Sequence, residues 1–487
     1  MSLSVAYNTA RSSLQASQSQ MAVVSRNTAG ASDPSYSRKI GALTTTGGFA
    51  RITVLRASDS ALLSKMLETT SSAATQKALL EGLQKLSATI GDTELDQSPA
   101  ARMGALNSAL QLYANAPDNP DLAQAVVKAA TEMATSLNDA TATVQSIRLE
   151  TDVRIGDSVA RINDLLLKYE KANNQVMSGS ALGADVSDAM DQRDSLIAQL
   201  SEEIGITVVP RAGNDVALYT DSGVPLFDRI PRTVTFSRTT VFGPAVTGAN
   251  VLIDGIRVTG PGAPMELNSG NLAGLTQLRD DVAVTYQDQL DEIARTLVEA
   301  FAEKDQTVPA KVDRPGIFTY PAATGVPGAP APTGLAGVLR VNAAVNPAEG
   351  GKFELIRDGG INGADYTYNP AAGANASFAG RLSGLVDAMS VQRPINTGLG
   401  FGPQASLLSL ASSSGSWLEA TRQSAHQRVE YQTTLLGHAS EALSNATDVN
   451  MDDETALMLQ LEKSYSASAK LLSLIDQMLK TLLSVVG

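Results

Sequence analysis

The chain has 487 residues, of which 43% are hydrophobic and 18% charged, a size that suits roughly three or four domains. This balance excludes a chain that is disordered throughout and one that is a membrane bundle. A formal net charge of −13 argues against binding to nucleic-acid phosphates or anionic lipid. The absence of cysteine and the presence of only two histidines, His426 and His438, exclude disulfides and thiolate metal sites. We therefore expect no metal, no cofactor and no nucleic-acid partner.

The chain begins with an amphipathic helix, predicted over Met1 to about Arg26. One line of residues steps by fours and threes, as one face of a helix does. This line is Leu3, Tyr7, Ala10, Leu14, Ser17, Met21 and Val24. The segment lacks the basic head and apolar core of a secretory signal peptide. We therefore expect a cytoplasmic protein or one exported without signal cleavage.

The long middle of the chain is predicted to be mostly helical. A loop over Asn27–Arg38 and a strand over Arg51–Arg56 come first. Helical periodicity then starts at Ser58 and recurs in three further stretches, Ser98–Asn115, Asp121–Ile147 and Thr151–Ser178. Short connections between such stretches are typical of antiparallel helices packed as a bundle.

A row of carboxylates at a spacing of three comes next: Asp185, Asp188, Asp191 and Asp194. Such a row lines one side of a helix, where it could form a cation site or an acid pair. We favour a structural role, because Asp188 would lie in the first turn, where negative charge is stabilising. Ser187 could cap this helix, and Arg193 could neutralise a neighbouring aspartate.

Two regions are predicted to be β-rich. Period-two patterns between residues 205 and 269 predict one small β domain, and Gly- and Asp-containing turns separate its strands. A helix is predicted over Leu272–Asp305. A Pro- and Gly-rich stretch follows, and Phe353–Tyr368 is predicted to form a hairpin in a second β domain. Helix returns over Ser412–Leu443.

The last element, Asn450–Gly487, carries two apolar seams on a heptad period. They share Leu461, Ser468, Ile475 and Leu482, and the reverse side has no apolar residue. Asn450 is a candidate N-cap, followed by three acidic residues in the first turn. We predict an assembly or chaperone interface on both terminal helices, formed by Leu3, Tyr7, Leu14, Met21, Val24, Met458, Leu461, Tyr465, Leu472, Ile475, Leu479 and Leu482.

Short motifs in three places resemble the axial proteins of the bacterial flagellum. The first holds Asn27, Tyr36 and Arg38, and it departs from the usual form at Thr28, Gly30 and Ser35. The third, around Asn450, departs only slightly, for instance at Met451. The middle motif resembles the hook-associated protein 1 family of the hook–filament junction. It consists of Asp191, Arg193 and Asp194, followed by Leu196.

This resemblance implies a structural protein rather than an enzyme. It implies export through the flagellar type III apparatus and self-assembly into a helical junction layer between hook and filament outside the cell. The implied partners are further copies of the chain, the hook protein, the second junction protein on the flagellin side, and a cytoplasmic chaperone holding the C-terminal helix. No membrane insertion is expected.

Three alternatives stay open at this point. An extracellular adhesin would bind its ligand through the β domains, and another axial protein of the hook or rod would share the terminal motifs. An enzyme, for instance a glycosidase, would need a carboxylate with a raised pKa in a cleft, and the pair to test is Asp188 and Asp191.

We predict a multidomain α+β chain. Its terminal helices form a discontinuous coiled-coil domain, and small β domains are inserted into a helical bundle. The terminal coiled-coil domain comprises residues 1–40 and 446–487. The bundle comprises 41–204, 270–308 and 398–445, and the two β domains comprise 205–269 and 309–397.

Overall fold

The computed structural model describes residues 3–46, 49–90, 97–307, 312–371 and 374–486. For residues 3, 4, 45, 46, 49–51, 88–90, 483, 485 and 486 it describes the backbone only. None of the described helices combines the length and the hydropathy needed to cross a membrane.

Helices dominate the described residues. In chain order they are α1 Leu3–Gly30, α2 Ser60–Ile90, α3 Pro99–Asn115, α4 Pro120–Ala181, α5 Ser187–Glu203, α6 Asn271–Gln277, α7 Ala283–Ala300, α8 Leu355–Asp358, α9 Gly380–Ser390, α10 Leu407–Thr447 and α11 Met451–Val486. A π-helical turn over Leu278–Val282 joins α6 to α7.

The strands are short and antiparallel. They are β1 Lys39–Thr46, β2 Phe49–Arg56, β3 Ile206–Pro210, β4 Val216–Thr220, β5 Pro225–Asp228, β6 Ile230–Pro231, β7 Val234–Thr235, β8 Leu252–Ile253, β9 Ile256–Arg257, β10 Phe318–Thr319, β11 Arg340–Val341, β12 Arg393–Pro394 and β13 Gln404–Ala405. They pair in sequence order, as β1–β2, β3–β4–β5–β6, β7–β8–β9, β10–β11 and β12–β13. The predicted fold class, a helical α+β chain with small sheets, is confirmed.

Local sequence signals explain where several helices begin. The Ser98 side chain accepts a hydrogen bond from the Ala101 amide at the start of α3, where Pro99 lies in the first turn. Asn119 caps α4 by accepting a hydrogen bond from the Asp121 amide at 2.9 Å. Side-chain acceptors at this position satisfy amides that have no partner inside the helix.

Two predicted helix limits are wrong. The predicted break between Ile147 and Thr151 is absent, and α4 runs unbroken through this point, because the sequence there contains neither Gly nor Pro. The first helix continues to Gly30 rather than ending at Arg26. Asn27 therefore lies inside the helix, where its side chain is used for a contact described below.

Two hydrophobic cores divide the body, and α4 contributes to both. The first half of α4 packs with α3, α7, α10 and the end of α2, together with residues between 317 and 395. The second half of α4 packs with α5, α6 and residues between 216 and 267. Each predicted β region therefore buries its apolar side chains against the helices. The division into four domains stays a prediction.

The second β region differs from the expectation. The segment predicted as a hairpin, Phe353–Tyr368, contains the short helix α8 and a 3-10 turn over Ala364–Tyr366. Its extended pairing is limited to an isolated bridge between Gly359 and Thr367. Gly359 and Gly360 both adopt a positive φ, which turns the chain sharply. Alternation of apolar and polar residues over so few positions does not distinguish a strand from irregular structure.

Candidate functional site

The two terminal helices, α1 and α11, lie antiparallel against each other and are called the terminal helix pair below. The Ser13 and Ser468 hydroxyl oxygens are 3.2 Å apart near the middle of the pair. At the other end, the Arg38 side chain, beyond the end of α1, contacts Glu454 in the first turn of α11. Small residues at the contact allow the two helix axes to approach closely.

On α1 the predicted seam is largely turned toward its partner. Val24, Ala10 and Ser17 are buried, and Leu14 and Met21 are half-buried. Tyr7 is exposed, and the side chain of Leu3 lies outside the described residues. The prediction missed Ala16 and Val23, which are buried beside the seam.

On α11 the buried positions recur once every seven residues. They are Glu454, Leu461, Ser468 and Ile475. A helix in a two-stranded coiled coil buries two positions per heptad, a and d. The neighbour within the chain therefore covers only one of the two lines that the sequence makes apolar.

The remaining apolar residues of α11 form an uncovered strip. Met458, Tyr465 and Leu472 are half-buried, and Leu479 is 36% exposed. The strip itself consists of the large apolar residues from Leu457 onward that are each at least 36% exposed, namely Leu457, Leu459, Leu471, Leu474, Met478, Leu479 and Leu482. We call this set the open strip.

Leu482, a shared member of both predicted seams, is 53% exposed. The antiparallel register explains this exposure. Because Ser13 faces Ser468 and both helices rise by about 1.5 Å per residue, Leu3 lies opposite roughly residue 478. Residues of α11 beyond that point extend past the start of α1 and have no described neighbour on it.

The first motif forms a compact hydrogen-bonded turn after α1. The Asn27 amide clamps the backbone of Lys39: its oxygen accepts from the Lys39 amide at 2.9 Å and its nitrogen donates to the Lys39 carbonyl at 2.8 Å. The Tyr36 hydroxyl donates to the same Asn27 oxygen at 2.9 Å, and burial raises the pKa of Tyr36 to about 12. The motif therefore fixes where β1 starts relative to α1.

Arg38 joins this turn to the start of α11. Its Nε donates to the Glu454 carboxylate at 2.7 Å, and its amide donates to the Thr447 carbonyl at the end of α10 at 2.7 Å. The Asn450 side chain accepts from the Asp452 amide at 2.9 Å, as predicted for an N-cap. Arg38 and Asn450 together define the corner between α10 and α11.

The carboxylate row faces three cations that come from outside α5. Lys39 pairs with Asp191, and Arg56 pairs with Asp191 at 2.7 Å and with Asp194 at 2.6 Å. Arg26 pairs with Asp185 and Asp188, both at 2.9 Å. Four carboxylates therefore meet three cations supplied by α1 and the β1–β2 hairpin.

Two details of the predicted row are wrong. Arg193 lies two positions from Asp191, and at about 100° per residue it points to the other side of α5. There its guanidinium donates to the Asn173 side chain at 3.1 Å and to the Asn214 carbonyl at 2.6 Å.

Ser187 does not cap α5 either. Its amide and hydroxyl donate to Asp185, at 3.0 and 2.6 Å. Burial alone raises the pKa of Asp185, but hydrogen bonds from Ser187 and Arg26 outweigh burial and lower its pKa below the ordinary value.

Sequence reasoning missed the residues that neutralise the row, namely Arg26, Lys39 and Arg56, and it missed Glu454 as the partner of Arg38. One signal was available, since Lys39 and Arg56 begin and end a run of alternating residues. In an antiparallel hairpin those two positions face each other, and Lys39 does pair with Arg56 in the register.

The carboxylates of the row are already engaged in these ion pairs. Both oxygens of Asp191 accept from cations, one from Lys39 and one from Arg56. No group of three or more His, Cys, Asp or Glu side chains in the described part of the chain is arranged to hold a metal ion. The arrangement suits holding three elements together, whereas a general acid needs a proton to donate.

Comparison with known proteins gives two matches to family models. Residues 80–307 match the helical domain of the flagellar hook-associated protein FlgK. Residues 441–485 match the C-terminal region of the flagellar basal body rod proteins FlgEFG. The second match covers the end of α10 and most of α11, and the first covers most of the body. Both matches are to models of flagellar proteins.

Individual relatives are named flagellar hook-associated protein 1. The chain is 25% identical over 223 residues to flagellar hook-associated protein 1 of Salmonella typhimurium, a match covering 43% of this chain and 39% of that protein. It is 24% identical to the Escherichia coli protein of that name, over 42% of this chain and 38% of the other. The chain thus spans about two fifths of the length of these relatives. The Bacillus subtilis protein is 21% identical over 98% of this chain and 97% of its own length.

Among solved structures, the flagellar hook junction protein FlgK from Burkholderia pseudomallei matches with a TM-score of 0.42 and 19% identity. That match covers 53% of this chain and 46% of the other. In its family models and in its named relatives, the chain is thus similar to flagellar hook-associated protein 1.

Proposed function

We propose that this chain is a structural component of the bacterial flagellum and forms the junction layer between hook and filament. The open strip on α11 supports this proposal most directly, because a row of exposed leucines on one helix needs a cover. Similarity to flagellar axial proteins supplies the context in which further copies provide that cover.

The proposed assembly is open and helical. In a head-to-tail arrangement each copy presents one surface to the next and a different surface to the previous one. The open strip can serve as one of these surfaces, because each of its residues is at least 36% exposed in a single copy. The interface residues predicted on α1 and α11 are part of the same proposal.

The terminal helices are proposed to become ordered on assembly. Fixing one residue costs about 1–2 kcal/mol of conformational free energy, and a buried leucine returns about 1.5–3 kcal/mol. Among the described side chains of α11, a single copy buries two large apolar ones, Leu461 and Ile475. We therefore expect Met1 to about Arg26 and Asn450–Gly487 to be mobile in the free subunit.

The proposed partners follow from the position of the layer. They are the hook protein on one side, the second junction protein and flagellin on the other, and a cytoplasmic chaperone that covers the open strip before export. Export through the type III apparatus without signal cleavage belongs to the same proposal. We propose no catalytic activity, and the four predicted domains are retained as the proposed organisation.

Deleting the gene tests the proposal. We expect cells that lack motility and shed filament protein into the medium, because filament subunits have no layer on which to assemble. The full-length gene supplied in trans restores both properties. Normal swimming with filaments attached would refute the junction role, and a loss of surface attachment alone would favour the adhesin class.

A further inference from the structure

We propose that Lys39 is a positioning residue at the centre of a preformed joint, which sets the direction in which the terminal helix pair leaves the body. The joint comprises Asn27, Tyr36, Arg38, Lys39 and Arg56, together with the carboxylate row on α5. That this direction matters for assembly rests on the proposed function, but the joint itself rests on the contacts below.

The Lys39 ammonium is completely enclosed. Its side chain is 0% exposed and pairs with Asp191, with an Asp188 oxygen at 3.7 Å. The ammonium also lies 4.4 Å from the centre of the Tyr36 ring. Desolvating a cation is costly unless anions and π electrons compensate. Moving the hairpin away from α5 would therefore separate a buried charge pair.

The backbone on both sides of Lys39 is fixed as well. Asn27 of α1 holds the Lys39 amide and carbonyl, and the Arg38 carbonyl accepts from the Ala57 amide at 2.8 Å. On the neighbouring strand, Arg56 donates to the Ser37 hydroxyl at 3.1 Å and to two aspartates. The base of the hairpin is therefore attached to α1 and α5 at once.

Arg38 and Lys39 connect different parts of the molecule. Successive side chains along an extended chain point in opposite directions. Arg38 reaches Glu454 at the start of α11, and Lys39 reaches Asp191 on the body. Two adjacent residues thus couple the position of α11 to that of α5.

Packing alone does not account for the position of the hairpin. A two-stranded hairpin is marginal by itself, and the outward pair Ile40 and Leu55 is 46% and 52% exposed. On the inner side the Gln20 amide donates to the Gly41 carbonyl at 3.0 Å. The ion pairs at the base are the strongest contacts that tie the hairpin to the body.

The ion pairs of the joint differ in their exposure to solvent. The side chains of Arg26 and Asp188 are 39% and 70% exposed, so salt screens that pair. The Lys39–Asp191 pair is enclosed and keeps its interaction in high salt. We therefore expect the direction of the hairpin to withstand salt but not the loss of Lys39.

The test uses the full chain labelled at two engineered cysteines, Thr53→Cys on the hairpin and Gln199→Cys on α5. Both positions are exposed, and the natural chain has no cysteine. Spin labels at these positions report the distance between hairpin and body by pulsed electron resonance. We expect one narrow distance distribution, and a distribution at least about twofold wider in Lys39→Met, which leaves Asp191 to share Arg56 with Asp194 as its remaining cation.

Lys65→Met is the matched control, because Lys65 forms an exposed ion pair with Glu68 in the same region of the chain. We expect it to leave the width unchanged. Asp191→Asn is the second variant and decides the question if Lys39→Met lowers the helix content in circular dichroism. About 1 M salt reduces the Debye length to about 3 Å, and we expect the narrow distribution to persist there.

A distribution that stays narrow in both Lys39→Met and Asp191→Asn would overturn the proposal. A distribution that is already broad in the unaltered chain, or that broadens in salt alone, would overturn it too. The labels lie outside Met1–Arg26 and Asn450–Gly487, so the result does not depend on the order of those segments. Failure here leaves the junction role standing, and normal motility after gene deletion would leave the joint standing.

Discussion

Two long amphipathic helices of this chain, α4 and α11, have opposite surroundings. Apolar residues of α4 are buried along its whole length, from Ala123 to Val176, by two cores made within the chain. Along the part of α11 whose side chains the structure describes, one position in seven is buried. The two helices therefore have similar periodicity but different burial. They differ in whether the same chain supplies a second neighbouring element that covers the apolar face.

The apolar face of an amphipathic helix is buried where other parts of the chain pack against it. The buried face of α4 is closed by elements far away in the sequence, including segments that irregular loops bring back onto it. The open strip of α11 has an apolar composition suited to the same kind of packing. The pattern alone cannot show which partner covers it, because that depends on the path of the rest of the chain.

Among the variants, the chain that lacks Met458–Gly487 is expected to differ most from the unaltered chain. We expect complete loss of assembly and of chaperone binding, because the open strip is removed. The melting of the body, followed by circular dichroism, should change little, since both cores lie outside α11. Unchanged chaperone affinity would contradict the account of α11.

Matched leucine substitutions sharpen the comparison. Leu166→Ala in α4 removes a side chain that is 1% exposed, and we expect a loss of about 2–5 kcal/mol in the free energy of unfolding. Leu474→Ala in α11 removes one that is 55% exposed. Its effect on the free subunit is expected to stay within about 0.5 kcal/mol.

Urea denaturation measures both values. The same Leu474→Ala chain should assemble more weakly than the unaltered chain, which sedimentation of assembled material detects. Equal destabilisation of the free subunit by the two substitutions would show that α11 is as well covered as α4.

Arg38→Met tests the contact between the two regions. It leaves the Glu454 carboxylate, which is 1% exposed, without its cation, and its second oxygen Oε2 already lacks a described hydrogen-bond partner. An unsatisfied buried group costs about 1–3 kcal/mol. Amide exchange at the start of α11 in the assembled material measures this loss, and the double variant Arg38→Met with Glu454→Met should recover most of it. No recovery would show that Arg38 acts through packing alone.

A smaller effect is the pH dependence of the free energy of unfolding, which arises from a residue of the body. Burial raises the pKa of Asp291 to about 6, although amides of Ala336 and Gly334 donate to it. Because its pKa is higher in the folded chain, the folded state holds an extra proton between about pH 4 and 6. We therefore expect the unfolding free energy to rise, relative to an Asp291→Asn chain, as pH falls through this window.

Denaturation at pH 7 and pH 4 measures this difference for both chains. Asp118→Asn, at an exposed turn residue, is the control and should not change the pH dependence. If the unaltered chain and Asp291→Asn respond identically to pH, Asp291 titrates as an ordinary surface carboxylate.

Much of the fold could be predicted from periodicity. The terminal helices, α3, α7 and the strands β3 to β5 follow patterns over enough residues to be recognised. The prediction failed at Phe353–Tyr368, where few residues and two glycines at positive φ decide the path. It also failed at the junction of α4, where no residue interrupts the helix and only a gap in the apolar pattern suggested a break.

The sequence predicted which residues belong to the candidate site, but it did not predict which residues they contact. Asn27, Tyr36, Arg38, Asp191 and Asp194 were all named, yet their partners Lys39, Arg56 and Glu454 lie up to 416 positions away in sequence. Arg193 was assigned to the wrong side because sequence proximity suggested an ion pair that helix geometry forbids. Charge pairing between distant elements depends on tertiary structure, which a single sequence does not reveal.

Amide hydrogen exchange of the free subunit and of the assembled material tests the central claim most directly. The account predicts weak protection of Met1–Arg26 and Asn450–Gly487 in the free subunit, strong protection of α4 in both states, and protection of both termini after assembly. Strong protection of both termini in the free subunit, equal to that of α4, would contradict it.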